Sequence, residues 1–175
     1  MNRIRVLSLL SVMLAAGCSS VPTKDIEFDV EADPKASFSG YKTYAWLGSA
    51  AILNDTFGQW EPPAFDADLE VKYLIDRELR KRGMWQRSMN PDVIVAFAAG
   101  IDMDVLELTV DPESNMETLA NVPRGGLAIV LVDSQTGFVI WVGVARANVQ
   151  RQPDAETAKA RLDYAVTQLL RKLPK

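Results

Sequence analysis

Leu127-Ala128-Ile129-Val130-Leu131-Val132, then Asp133-Ser134-Gln135-Thr136-Gly137, then Phe138-Val139-Ile140-Trp141-Val142-Gly143-Val144-Ala145: this segment settles the fold class. Two apolar runs rich in β-branched residues flank five residues that are mostly polar and end in glycine. That is a hairpin with a short, glycine-containing turn. Both runs are apolar on both faces, which predicts the middle of a sheet, covered on both sides at least in part. Each fully buried Val, Leu or Ile contributes ~1.5–3 kcal/mol, so the hairpin is expected to be the centre of the core.

The elements around it follow from their periods. Ile26–Val30 alternates Ile26, Phe28 and Val30 with Glu27 and Asp29, as a strand with one buried face does. Tyr41–Leu47 is β-prone through its aromatic residues and Thr43. Asp66–Arg82 is a helix: Asp66 can cap the first turn, and Val71, Leu74, Ile75 and Leu79 form an apolar stripe. Gly83 ends it. Val93 to Val105 is apolar at odd positions, and Leu106, Leu108 and Val110 are apolar at even ones. A strand cannot change faces without an extra residue or a break, so a bulge or bend is expected near Asp104–Leu106. Asp111–Arg124 reads as a loop. From Pro153-Asp154 onward, Ala155, Ala158, Leu162, Ala165, Val166, Leu169 and Leu173 keep helical spacing up to Pro174. The expected fold is α+β: a mostly antiparallel sheet in the order β-β-α-β-β-β-α, with two helices packed on it.

The start of the chain carries a separate message. Arg3 and Arg5 precede a short apolar run, Val6–Ala16, and small residues lead into Cys18. The run falls short of the ~20 apolar residues that span a bilayer, and the pattern is that of a secretory signal. Leu14-Ala15-Ala16-Gly17-Cys18 resembles the bacterial lipobox, departing from it in having Ala15 where the motif prefers leucine. The resemblance implies cleavage before Cys18 and lipidation of that residue. Residues 1–17 are then a cleaved signal peptide, residues 18–25 a lipidated cysteine and short tether, and residues 26–175 a single α+β domain. Several acyl chains on one residue anchor far more firmly than one. Ser19, where an aspartate signals inner-membrane retention in enterobacteria, favours the periplasmic face of the outer membrane.

Composition narrows the chemistry. The 175 residues include no histidine and one cysteine, Cys18, and the net charge is −4. Ser-His-Asp and Cys-His catalysis and histidine-ligated zinc are thereby excluded. Lipidation would consume the sole thiol, so no disulfide forms. An acidic domain has no electrostatic reason to hold nucleic acid. No cofactor and no catalytic residue are expected.

Three groups of residues outside the anchor are candidates for a site. Gly48–Phe65 fits no period, and its Phe57 and Trp60 either fold back over the sheet or form a lid over a ligand. Asp102 and Asp104, predicted to share a strand face, either form a solvated acidic edge or hold a hard cation such as Ca²⁺. Arg77, Arg80, Lys81 and Arg82 either balance the negative end of their helix or meet an anionic lipid or glycan. Trp46, Trp85 and Trp141 are expected in the core.

Phe38-Ser39-Gly40-Tyr41-Lys42-Thr43-Tyr44-Ala45-Trp46, Pro91-Asp92-Val93-Ile94-Val95, and Gly126-Leu127-Ala128-Ile129 with Asp133, Thr136-Gly137 and Trp141-Val142-Gly143 occur in that order. Together they resemble the lipoprotein family known as domain of unknown function 4136. Val142 stands where the family commonly has a basic residue. The resemblance implies fold and anchoring, and adds no catalytic residue. Two functions stay open: a non-enzymatic envelope lipoprotein that binds a protein or cell-wall partner, and a carrier of a small ligand or lipid that uses an apolar sheet face.

Overall fold

The computed structural model describes residues 21–110, 112–113, 115, 117–149 and 154–175; the signal segment, Cys18 and Pro153 lie outside the described residues. A six-stranded sheet organises the domain. Its strands are β1 (Glu27–Ala32), β2 (Thr43–Asn54), β3 (Trp85–Gln86), β4 (Val93–Asp102), β7 (Arg124–Asp133) and β8 (Val139–Asn148). They lie side by side in the order β1-β8-β7-β4-β2-β3. Two helices, α1 (Ala67–Lys81) and α2 (Ala155–Arg171), complete the core. A separate two-stranded arm pairs β5 (Leu106–Val110) with β6 (Glu117–Asn121).

The hairpin β7–β8 is central, as its sequence predicts, and it brings Leu131 opposite Trp141 and Ile129 opposite Gly143. Val93, Val95, Phe97, Leu127, Ile129, Leu131, Ile140 and Trp141 are all buried. They form one cluster with Val71, Leu74, Ile75 and Leu79 of α1 and with Ala165, Val166, Leu169 and Leu170 of α2. Gly143 makes the tight packing possible: a Cβ there would run into the Trp141 indole. The Trp141 Nε1–H is buried and has no hydrogen-bond partner among the described residues.

Both helices start where the sequence places them. Asp66 accepts from Leu69 N at 3.0 Å, and Asp154 accepts from Thr157 N at 2.8 Å. Each carboxylate satisfies an otherwise unpartnered N–H of a first turn. Gly83, at φ +77°, takes the left-handed conformation just past α1. The helices are tied by Arg77, whose guanidinium grips Asp163 at 2.7 and 2.9 Å and also reaches Glu78 at 2.8 Å.

Three expectations are corrected. The helices cover only one face of the sheet; on the other, Ile94, Ala96, Ala98, Ala128, Val130, Val142 and Val144 remain half-buried. Strand β2 runs on to Asn54, so Gly48–Asn54 of the expected Gly48–Phe65 loop is strand. A bulge between Trp46 and Gly48 shifts the register, and β2 then pairs in parallel with β4 as far as Asn54–Asp102. The sheet is mostly antiparallel, as expected: β1, β8, β7 and β4 pair antiparallel, and the parallel pairs are β2–β4 and β2–β3. Glu117–Asn121, read as loop, is β6; among the described residues six strands rather than three therefore lie between the helices. The face change expected near Asp104–Leu106 is present as a break between β4 and β5.

Candidate functional site

Small residues on two neighbouring strands hollow the uncovered face of the sheet. Gly100 faces Gly126 and Ala98 faces Ala128 across β4–β7. Beside them, Ile52 of β2 pairs with Gly100, and Val144 of β8 pairs with Ala128. Four positions with at most a methyl group form the floor, and branched side chains form the walls. The result is an apolar depression of about 560 Å³, open to solvent. Its rim is charged: Glu27 and Arg146 lie on one side, and the Glu107–Arg124 ion pair, at 2.6 Å, lies on the other. Such a hollow can accept a small apolar group or a protruding side chain, with a charged rim to orient it. The sequence carries this signal in the small residues Ala98, Gly100, Gly126 and Ala128, spaced two apart on strands whose other face is large and apolar. Alternation groups these residues on one face but does not say that the helices leave that face open.

Of the residues singled out from sequence, Asp102 lines the depression, and Phe57, Trp60 and Asp104 lie outside it. Phe57 is exposed and Trp60 is half-buried, and neither lines the depression. Their loop is held from within, since Asp55 accepts from Gln59 N and Trp60 N at 2.9 and 2.8 Å. Those N–H groups hold the Asp55 carboxyl below the usual range. Asp102 and Asp104 do not share a strand face: β4 ends at Asp102, and Asp104 lies in the break that follows. Both are engaged in fastening the end of β2. Asp102 Oδ1 accepts from Asn54 Nδ2 and from Asp104 N, while Asp104 Oδ2 accepts from the Thr56 N–H and hydroxyl. Among the described residues, no group of three or more acidic side chains is gathered so as to hold a metal ion.

In the basic cluster at the end of α1, Arg77, Lys81 and Arg82 bond within the domain, and Arg80 is exposed. Arg77 binds Asp163 and Glu78, and Lys81 reaches Glu78 at 2.7 Å. Burial alone would raise the Glu78 carboxyl, but Lys81 and Arg77 outweigh it and hold it low. Arg82 donates to the carbonyls of Leu170, Arg171 and Pro174 at the end of α2. Of the three tryptophans expected in the core, Trp141 is buried and Trp46 packs against the core, but Trp85 is exposed. Trp85 sits on a two-residue edge strand, where one side of the chain has no neighbour to cover it.

The opposite end of the sheet carries a smaller polar hollow of about 260 Å³ around Tyr41, Asp92 and Asp133. Tyr41 donates its hydroxyl to Asp133 at 2.9 Å, and its pKa is pushed up to about 12, first by burial and then by that carboxylate. Asp92 accepts from Lys42 N, Thr43 N and the Thr43 hydroxyl. These bonds join the start of β2 to the chain entering β4. Tyr41, Thr43 and Asp92 are among the residues that carry the family resemblance, and their role here is to fix strand ends.

The family model described as "Domain of unknown function (DUF4136)" matches residues 29–175. A solved DUF4136 family protein from Bacteroides thetaiotaomicron is 9% identical, with a TM-score of 0.54, and the match covers 85% of this chain and 95% of that one. A PDZ domain protein from Parabacteroides distasonis is 14% identical with a TM-score of 0.50, over 89% of this chain and 38% of that one. A PelC dodecamer from Paraburkholderia phytofirmans is 14% identical with a TM-score of 0.47, over 82% of this chain and 96% of that one. No curated protein matches the sequence.

Proposed function

The chain belongs to the DUF4136 family, and from that premise we propose that it is a lipid-anchored envelope lipoprotein whose domain binds a protein or cell-wall partner and catalyses no reaction. The observation that carries the reading is Leu14-Ala15-Ala16-Gly17-Cys18, set just ahead of the domain. The start of the domain suits a short leash: Arg161 donates to the Pro22 carbonyl and holds Asp25 at 2.7 and 2.9 Å. Few residues therefore separate Cys18 from a fixed point. Acylation at Cys18 would hold the domain close to its membrane, on the periplasmic face of the outer membrane by the Ser19 argument.

The binding part of the reading is supported by the uncovered sheet face, with its apolar hollow and charged rim. The same hollow supports a second reading, a small-ligand or lipid carrier, because its walls are Ile52 and Val144 and its floor is free of large side chains.

Radiolabelled palmitate fed to cells is expected to appear on the wild-type protein and to vanish in Cys18→Ser. An unlabelled wild type would overturn the anchor. A photo-crosslinker at Ala128, on the floor of the hollow, is expected to give one discrete protein or cell-wall adduct. A single lipid or small molecule co-purifying with the protein, lost in Ala128→Phe, would instead establish the carrier.

A further inference from the structure

The arm β5–β6 is built inside out. Leu106, Leu108 and Val110 lie on one face of β5, and Leu119 stands opposite Leu108 on β6. All four are 58–68% exposed. The alternate positions, Glu107 and Thr109, are only half-exposed, and Glu107 is pinned to Arg124. An ordinary two-stranded extension turns its apolar side inward and its polar side to water; this one does the reverse.

The position of the arm says what covers it. The register from β1 to β2 places Glu27, Arg146, Gly126, Gly100 and Ile52 in one row across the sheet. Just beyond that row lie Asp102, from which the chain passes to β5, and Arg124, where it returns from β6. The same end holds the entry of the chain, because Asp25 accepts from Asn148 N and is clamped by Arg161. Cys18 stands three residues ahead of Val21, the first described residue. Three residues span roughly 10 Å at most. An acylated Cys18 thus fixes this end of the domain against a lipid surface, and Ile52, Leu53 and Phe57, also exposed, lie toward the same end.

We infer that the arm is a second membrane contact: its Leu106–Leu108–Val110–Leu119 face lies in the headgroup and upper acyl region of the leaflet that holds the anchor. The inference rests on the lipoprotein reading above. Glu117, opposite Val110 at the outer end of the same face, keeps the arm at the interface rather than in the hydrocarbon. One acylated residue alone permits the domain to swivel. An added apolar contact fixes which way it faces, and so presents the hollowed sheet face at a set angle to the membrane.

The test uses the full lipidated chain in vesicles of phosphatidylethanolamine and phosphatidylglycerol, with some lipid replaced by doxyl-phosphatidylcholine. With Cys18 alkylated, Leu108→Cys, Leu119→Cys and Phe138→Cys each carry one free thiol for a bimane label. Phe138 is 71% exposed, at the far end of the sheet, and serves as the control. Loss of bimane emission to doxyl lipid at 108 and 119 but not at 138 is the expected result, with thermal melts confirming that each variant is folded. Quenching of 108 and 119 by aqueous iodide, with no effect of doxyl lipid, would place the arm in water and overturn the inference. Shielding from both quenchers would overturn it in favour of a protein covering the arm, and equal lipid quenching at all three sites would show no preferred face. Each of these results leaves the lipoprotein reading standing if palmitate is incorporated. Absence of palmitate from the wild type removes both.

Discussion

The β7–β8 hairpin and the β5–β6 arm are written in the same alphabet and meet opposite fates. Each has at least one face on which apolar residues recur at every second position. In β7–β8 those residues, Leu127, Ile129 and Leu131, face two helices and are at most 5% exposed. In the arm Leu106, Leu108, Val110 and Leu119 are left exposed by the described residues. Alternation decides which side chains share a face. It does not decide what that face meets. The helices supply the cover for one hairpin, and they reach only one side of one sheet.

A charge on each hairpin gives the sharpest break. Ile129→Asp places a carboxylate among Phe97, Leu131 and Trp141 with no partner. The cost of that burial exceeds the ~5–15 kcal/mol by which a domain is stable. No cooperative melt by circular dichroism is expected, and Ile140→Asp should behave the same way. Leu108→Asp, on the arm, is expected to melt as wild type does. If Leu108→Asp unfolds the domain, the arm belongs to the core and the contrast is gone.

Glycine gives the next test, on the two faces of one hairpin. Gly143→Ala drives a methyl group into the Trp141 indole, which has nowhere to move in a closed core. A loss of ~1–3 kcal/mol is expected by denaturant titration, typical of overpacking. Gly126→Ala, on the hollowed face, meets nothing closer than 3.9 Å. It should change stability by no more than ~0.5 kcal/mol, as surface changes do.

These outcomes bear on how much of the molecule could be read from its letters. The β7–β8 core, both helix starts and the break after β4 were legible because each rests on a local rule: period, cap residue or face change. The far half of β2 was not. Gly48–Asn54 has no alternation, since small residues sit on both faces of a strand open along one edge and bound by parallel pairing to a strand about fifty residues away. The hollow was half legible. Its small residues are plain to see, but only the topology shows that no helix covers them. Phe57, Trp60, Asp102 and Asp104 stand out by their chemistry, whereas the local hydrogen bonds that hold their segments are invisible in sequence.

Acid is the third test. Asp133 in the β7–β8 turn is held low first by the Thr136 N–H, Asp25 first by the Arg161 guanidinium, and Asp163 first by Arg77. In each case the folded carboxyl has a pKa below the ordinary 3.8. The unfolded chain therefore binds protons first as pH falls. The stabilisation is fully present above that value and is lost progressively below it, through the lowered folded-state values. The melting temperature should be flat near neutrality and should fall below about pH 4. Asp133→Asn should flatten part of that fall, showing that the hairpin turn contributes to it. An unchanged acid limb in Asp133→Asn, Arg161→Gln and Arg77→Gln alike would place the acid sensitivity elsewhere.

The smallest effect discriminates most finely. Leu108→Ser removes an apolar side chain that is 68% exposed in the folded protein. Little hydrophobic free energy is therefore lost on folding, because the leucine meets water in both states. A change within ~0.5 kcal/mol is expected in detergent-free buffer, and the double variant Leu108→Ser/Leu119→Ser should differ little. By contrast Leu131→Ala, a truncation at a buried position of β7, should cost ~2–5 kcal/mol. If the arm double variant instead loses stability on the scale of Leu131→Ala, its apolar face is already covered within the isolated protein, and neither a lipid surface nor a partner is needed to explain it. If it holds its stability, Leu108 and Leu119 add nothing to the fold in water, and their alignment with Leu106 and Val110 calls for something outside it.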